Sequence, residues 1–225
     1  LGDIACFSTM FGKHFTTGGQ GGIVYTQDEQ LHWEGRRFAD RGKPFNLDAQ
    51  DNVRAGLNCN LNEIGAAVGS VQLKRLPEMI QNRRLIGEAV KRGLEDGLAV
   101  KLGRQVPETE CSYWYLRVKL TLEALRVDKQ QFCRALSAEG IPCLADYPVI
   151  VCLAPWFRDK AVFGKSRFPW DCSDYAGPRE PLARTENAVK TLMDNIPIPL
   201  HENYEPELAD QIVAALQKVE KAYLK

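Results

Sequence analysis

The sequence lacks several things that would narrow its chemistry at once. It has no net charge, since 29 Lys+Arg stand against 29 Asp+Glu, so no global field draws it to nucleic acid or to an anionic membrane. It has three histidines, His14, His32 and His201, far apart along the chain. Its seven cysteines include no Cys-x-x-Cys pair. A metal-centred mechanism or a structural zinc site therefore has little to work with. The odd cysteine count and the long spacings also argue against a disulfide framework, and the apolar neighbourhoods suit small buried hydrophobes. A reducing cytoplasm is the expected compartment. No run approaches the roughly 18 apolar residues of a membrane helix. No basic stretch leads into an apolar one, so no secretory signal is expected. Internal repeats and low-complexity tracts are absent too.

What is present is an ordinary globular composition. The chain has 225 residues, 44% hydrophobic and 26% charged. That is enough apolar material to offset chain entropy, and enough length for one large domain or two small ones. Ile4–Phe7 reads as a buried strand, and Gly21–Thr26 as a second strand leaving a glycine-rich turn. Asp28 opens a helix to about Arg41, stopped by Gly42-Lys43-Pro44. Asn60 and Glu63 have capping-box spacing before an apolar stripe of Leu61, Ile64, Val68 and Val71. Pro77 is expected to interrupt that helix, with a second one from about Glu78 to Leu94. Beyond Gly97 the texture changes. Strands are expected at Ala99–Leu102, Tyr113–Leu120 and Ile141–Leu144, with helices at Asp128–Ala138 and Glu186–Met193. Ile196–Leu200 is extended, and a final amphipathic helix begins near Pro206, acidic at its start and basic at its end. The expected division is residues 1–97, the end of an α/β domain, and residues 98–225, a small α+β domain.

The densest chemical signal is the run Phe7-Ser8-Thr9-Met10-Phe11-Gly12-Lys13-His14-Phe15-Thr16-Thr17-Gly18-Gly19-Gln20-Gly21-Gly22. Desolvation among aromatic side chains lowers a lysine's pKa, which an amine needs as a nucleophile or Schiff-base former. The hydroxyls and glycine amides around it suit a phosphate group. Other readings are plainer. Ser8 alone is a strand-end hydroxyl, Asn58 alone a turn residue, and Tyr113-Trp114-Tyr115 alternates like a strand with one face in the core. The pairs Arg36-Arg37 and Arg83-Arg84 read as solvated helix faces that a sugar diphosphate would also suit.

Taken as a set, these residues resemble the pyridoxal-phosphate sugar aminotransferases of the DegT/DnrJ/StrS type, within aminotransferase fold type I. The run F-S-x4-K-x2-T-T-G followed by G-G and a strand is similar to that family's lysine region. Gly56-Leu57-Asn58-Cys59-Asn60-Leu61-Asn62-Glu63-Ile64-Gly65-Ala66-Ala67-Val68-Gly69 is similar to its G-x-N-x-R-x-x-E-x-x-A-A-x-G stretch. Gly140-Ile141, Tyr147-Pro148 and Ile198-Pro199-Leu200-His201 continue the match in order.

The resemblance implies an α/β fold: the C-terminal part of a fold type I large domain, with helices on a mixed sheet, followed by a small α+β domain. It implies that Lys13 holds pyridoxal 5'-phosphate as a Schiff base and then moves a proton. Ser8 would contact the cofactor phosphate, and Asn58 the phosphate in a partner subunit, so that a homodimer shares its active sites. Trp114, Tyr147 and His14 would help line the substrate pocket. The reaction implied is transfer of an amino group from glutamate or glutamine to a keto-sugar, nucleotide-linked, or to a keto-cyclitol. Counting forward from Ser8 places the Schiff base at Lys13; counting back from Gly21-Gly22 places His14 there, as in relatives that act as dehydratases. The forward count is preferred, with the extra residue absorbed in Thr17–Gln20. Asn60 stands where the family usually has Arg, and Gln20 where it often has Glu. A dehydratase using His14 and a non-catalytic dimeric binding or regulatory relative are the alternatives. Because the family is longer at the N-terminus, these residues are expected to be its C-terminal part, incomplete for turnover by themselves.

Overall fold

A computed structural model describes residues 2–146, 150–178 and 185–225. The chain divides into two compact units, Leu1–Gln81 and Asn82–Lys225. The boundary expected near residue 97 therefore falls earlier, inside a helix, because Ile86 and Val90 of that helix belong to the second unit's core.

The first unit opens with an antiparallel hairpin of β1 (Ala5–Ser8) and β2 (Gly22–Tyr25), in register from Ala5↔Tyr25 to Ser8↔Gly22. The strands were expected to be buried. They are exposed instead, with Phe7 at 54% and Val24 at 62% of full exposure, because this sheet has two strands and neither has a further neighbour among the described residues. Helix α1 (Glu29–Ala39) follows, and its start matches expectation: the Asp28 carboxylate accepts from the Leu31 amide at 2.9 Å, filling one of the donors that a helix start leaves open. The return stretch lies against the end of α1. Leu57 N–H donates to Phe38 O, Arg41 N–H to Leu57 O, and Cys59 N–H to Ala39 O.

Helix α2 (Glu63–Gly93) runs through both units as one helix, with Pro77 inside it. The expected break at Pro77 does not occur. The proline forfeits one backbone hydrogen bond, but packing fixes the helix on either side of it. Its cap also differs from expectation. Asn62, not Asn60, accepts from the Gly65 amide, at 2.7 Å.

The second unit has an antiparallel three-stranded sheet of β3 (Val100–Leu102), β4 (Tyr115–Leu120) and β5 (Asn195–Pro199), in the order β3-β4-β5. Helices α3 (Lys129–Ala138), α4 (Pro155–Arg158), α5 (Glu186–Asp194) and α6 (Leu208–Tyr223) complete it. On β4, Leu116, Val118 and Leu120 are buried, while Arg117 and Lys119 between them are exposed. That alternation is what a sheet covered on one face requires. The buried face joins Phe132 and Leu136 of α3 and Ile212, Leu216 and Val219 of α6 in one core. The strand expected at Ile141–Leu144 is not formed. Ile141 N–H bonds back to Leu136 O, and of the expected ladder there is Leu144 N–H to Pro197 O, at 3.2 Å. No described helix is long and apolar enough to cross a membrane.

Candidate active site

The lysine loop grows out of the hairpin. The pairing of β1 with β2 continues in register beyond the strands, through Thr9 N–H to Gly21 O at 2.9 Å and Phe11 N–H to Gly19 O at 2.8 Å. The irregular part is therefore confined to residues 12–18. Lys13 stands just after a tight turn in which its amide donates to Met10 O at 2.9 Å, and its side chain is half-buried, as is that of His14.

The loop folds back and is locked through Thr17. The Thr17 amide donates to Thr9 O at 2.9 Å, and its hydroxyl lies 3.1 Å from that same oxygen and 3.1 Å from the Thr9 hydroxyl. Both threonines are buried, and the hydroxyl pair meets the rule that buried polar groups find partners. Three glycines make room for them. A Cβ on Gly21 would sit 2.4 Å from the Thr17 hydroxyl and 2.6 Å from that of Thr9. A Cβ on Gly69 would sit 2.9 Å from the Thr17 methyl, and one on Gly65 3.2 Å from the Thr17 carbonyl oxygen. Gly65 and Gly69 are one turn apart on α2, so the helix presents a bare groove to Thr17. The sequence placed these residues in two separate motifs; the fold makes them one contact.

Ser8 ends β1 with an exposed hydroxyl that accepts weakly from the Met10 amide at 3.4 Å. Asn58 is exposed, pairs through its backbone with Asp40, and accepts from the Asn60 amide at 3.4 Å. The Asp40 carboxylate gathers Lys43 at 2.9 Å, Asn60 at 2.9 Å and the Arg41 guanidinium. The hydrogen bonds from Lys43, Asn60 and Arg41 hold that carboxyl well below the usual range. Ser8, Lys13 and His14 thus share one hairpin, while Asn58 bonds to the end of α1 and to Asn60.

Trp114 belongs to the second unit, where its ring stacks on Tyr115 at 5.9 Å between centroids and 4° between planes. Tyr147 lies outside the described residues. Next to Trp114, Tyr113 holds a left-handed backbone, at φ 46°, which a bulky residue adopts only under external constraint. The constraints are visible. The Tyr113 ring covers Gly87, where a Cβ would meet it at 2.7 Å, and its hydroxyl donates to Glu88 at 2.6 Å. The guanidinium of Arg83 donates to the carbonyls of Tyr113 (3.2 Å), Trp114 (3.5 Å) and Leu200, and pairs with Glu202 at 2.7 Å.

Arg83 and Arg37 are both buried, against the expectation of solvated helix faces. Arg37 bonds Glu34 and Asn46. Arg36 does lie outside, over the Phe45 ring at 4.4 Å. Arg83 was legible in principle: it falls on the same face of α2 as Met79, Ile86 and Val90. Among the described residues no group of three or more His, Cys, Asp or Glu could hold a metal ion.

Comparison with known proteins matches these elements. The family model of the DegT/DnrJ/EryC1/StrS aminotransferases matches residues 1–217. A dTDP-4-dehydro-2,3,6-trideoxy-D-glucose 4-aminotransferase of Saccharopolyspora spinosa is 30% identical over 160 residues, covering 66% of this chain and 40% of that protein. A GDP-perosamine synthase of Caulobacter vibrioides is 32% identical over 147 residues, covering 63% and 38%. The X-ray structure of an aminotransferase from Psychrobacter cryohalolentis superposes with a TM-score of 0.77 at 22% identity, covering 98% of this chain and 56% of that one. The chain spans about 40% of the length of the curated relatives it matches.

Proposed function

We propose that this chain, which belongs to the DegT/DnrJ/EryC1/StrS aminotransferase family, carries the catalytic lysine of a pyridoxal-phosphate sugar aminotransferase. The reaction is transfer of an amino group from glutamate or glutamine to a keto-sugar borne on a nucleotide. The observation that carries the reading is the locked loop. Lys13 sits on a hairpin tip that Thr17 pins to Thr9, to Gly21 and to the α2 glycines. A lysine serving as a solvated surface charge needs none of that positioning.

The residues fit the cofactor. Lys13 offers an amine on a half-buried, glycine-flanked loop, and Ser8 offers a hydroxyl with one weak intramolecular contact, at 3.4 Å. Pyridoxal phosphate, when bound, supplies an electron sink next to the carbon that exchanges its amino group. The protein supplies the rest. Lys13 Nζ would hold the cofactor and would move a proton there, as a positioned general base and acid does. Ser8 Oγ donates to the phosphate. The exposed Asn58 amide reaches the phosphate bound by a second copy of the chain, in a homodimer with shared sites. His14, Trp114 and Tyr147 are the candidates for the sugar substrate, a role that rests on the family resemblance. The relatives named for dTDP- and GDP-linked sugars support a nucleotide-linked acceptor.

The test is amino transfer in the complete polypeptide, with L-glutamate and a dTDP-linked 4-keto-sugar. The wild type should release 2-oxoglutarate in step with amino-sugar, and Lys13→Ala should lose between about 10² and 10⁴-fold in rate. A product that has lost water and gained no nitrogen, or an undiminished Lys13→Ala rate, would overturn the reading.

A further inference from the structure

Helix α3 and the chain that leaves it place two cysteines together. Gly140, at φ 90°, ends the helix. Glycine at that position lets the chain reverse, and the reversal is closed by Gly140 N–H to Ser137 O at 3.0 Å and Ile141 N–H to Leu136 O at 3.2 Å. The returning segment is held on its other side by Leu144 N–H to Pro197 O of β5. Cys143 is thereby brought back to Cys133, ten positions earlier. Its thiol lies 3.6 Å from the Cys133 carbonyl oxygen, 4.0 Å from the Ser137 hydroxyl, and in hydrogen-bond contact with the Cys133 thiol.

The two cysteines differ in surroundings. Cys133 is 5% exposed, in the core with Phe132 and Leu136. Cys143 packs at the edge of that core and is partly open to solvent. The hydrogen bond from Cys133 holds the Cys143 thiol below its ordinary pKa, against the opposing effect of burial, and the Ser137 hydroxyl helps. The Cys133 thiol is pushed up, first by that same bond, then by burial and by the Cys143 charge. The charges facing the pair are Lys129 and Asp146, 3.6 Å from each other, which act on Cys133 in opposite senses. A reactive thiol needs thiolate character and access. Cys143 has both and Cys133 has neither.

We propose that Cys133 and Cys143 are a redox modification site, at which a peroxide oxidises Cys143 and Cys133 closes a reversible disulfide. The Cys143 thiolate attacks one peroxide oxygen. An S–O bond forms, the O–O bond breaks, and the departing oxygen takes up a proton and leaves as water. The Cys133 sulfur then attacks the Cys143 sulfur. The S–S bond forms, the S–O bond breaks, and the Cys133 proton leaves with the hydroxyl as a second water. The pair loses two electrons and two protons, and one hydrogen peroxide becomes two waters. Conversion of Cys143 to a neutral sulfenic acid removes the charge that helps keep Cys133 protonated, so the buried thiol becomes a nucleophile once its target is ready. The odd cysteine count argues against a framework of structural bridges, and all seven cysteines are free, which leaves room for one labile pair. The site does not depend on Lys13 or on the transaminase reading.

The test exposes the complete polypeptide to hydrogen peroxide at a dose that oxidises the exposed Cys6, Cys59 and Cys111. Remaining thiols are alkylated, and tryptic peptides are mapped by mass spectrometry without reduction. Residues 130–134 carry Cys133, and residues 135–158 carry Cys143 and Cys152. The expected product is these two peptides joined through Cys143, two hydrogens lighter than their sum, and returned to free thiols by dithiothreitol. Cys143→Ser should abolish the link. Cys133→Ala should leave Cys143 as a sulfenic acid that dimedone traps. The wild-type map decides by itself, so a variant that fails to fold leaves the test intact. A free Cys133 thiol at that dose overturns the proposal, as does a link from Cys133 to Cys152 or to any other cysteine.

Discussion

The hydroxyls of Thr9 and Thr17 lie 3.1 Å apart in a buried contact that closes the loop carrying Lys13. Eight residues separate them in sequence, and Lys13 is midway. The pair therefore sets the width of the loop base from which the lysine projects, and a change at either threonine moves the lysine without touching it.

Thr17→Val keeps the shape of the side chain and removes its hydroxyl. The buried Thr9 hydroxyl then loses its partner, which costs about 1–3 kcal/mol. Thr17→Ser keeps the hydroxyl and loses the methyl against Gly69, which costs about 0.8 kcal/mol. Urea unfolding should rank the chains wild type, Ser, Val in falling stability.

Gly19 and Gly21 lie two positions apart and are opposites in tolerance. A Cβ at Gly21 would fall within 2.6 Å of both threonine hydroxyls, while one at Gly19 meets nothing within 4 Å. Gly21→Ala should therefore destabilise by about 1–3 kcal/mol through overpacking, and Gly19→Ala by less than about 0.5 kcal/mol. The same unfolding measurement compares them.

Arg83 ties α2 to the residues just before β4 and just after β5, which adjoin at one end of the sheet, and Glu202 is its counter-charge. Arg83→Met leaves that carboxylate and the carbonyls of Tyr113 and Leu200 without the guanidinium, and about 3 kcal/mol of stability should go with it. Tyr113 should then leave its left-handed backbone, visible as a change in near-ultraviolet circular dichroism.

Acid should weaken the same clamp. Burial pushes the Glu202 carboxyl up, but its backbone hydrogen bond and Arg83 outweigh that, and the net shift is downward from 4.5. A carboxyl with a depressed folded-state pKa adds stability above its unfolded value and loses it as pH falls through the folded one. Unfolding free energy in the wild type should thus fall below about pH 4.5, and Arg83→Met should flatten that slope.

Much of this was legible from local chemistry. Asp28 and Asp128 announce α1 and α3, and each carboxylate caps the amide three residues on. The alternation along Tyr115–Leu120 announces β4. What failed were expectations in which tertiary packing overrides local preference. Pro77 reads as a break, yet α2 continues because Gly65 and Gly69 seat it on Thr17 and Ile86 and Val90 seat it in a core. Ile141–Leu144 reads as a strand, yet Ile141 is drawn back to the end of α3. For the site, the lysine region and its threonines stood out as a motif. The contact joining Thr17 to the α2 glycines did not, since nothing local pairs residues some fifty positions apart.

The most direct test of the central claim is chemical. The complete polypeptide is loaded with pyridoxal phosphate, reduced with borohydride and digested, and the peptide bearing the pyridoxyl group is identified by mass spectrometry. The account predicts that the label sits on Lys13 and disappears in Lys13→Ala. Retention of the cofactor with no labelled peptide, or a label on any other lysine, would contradict it.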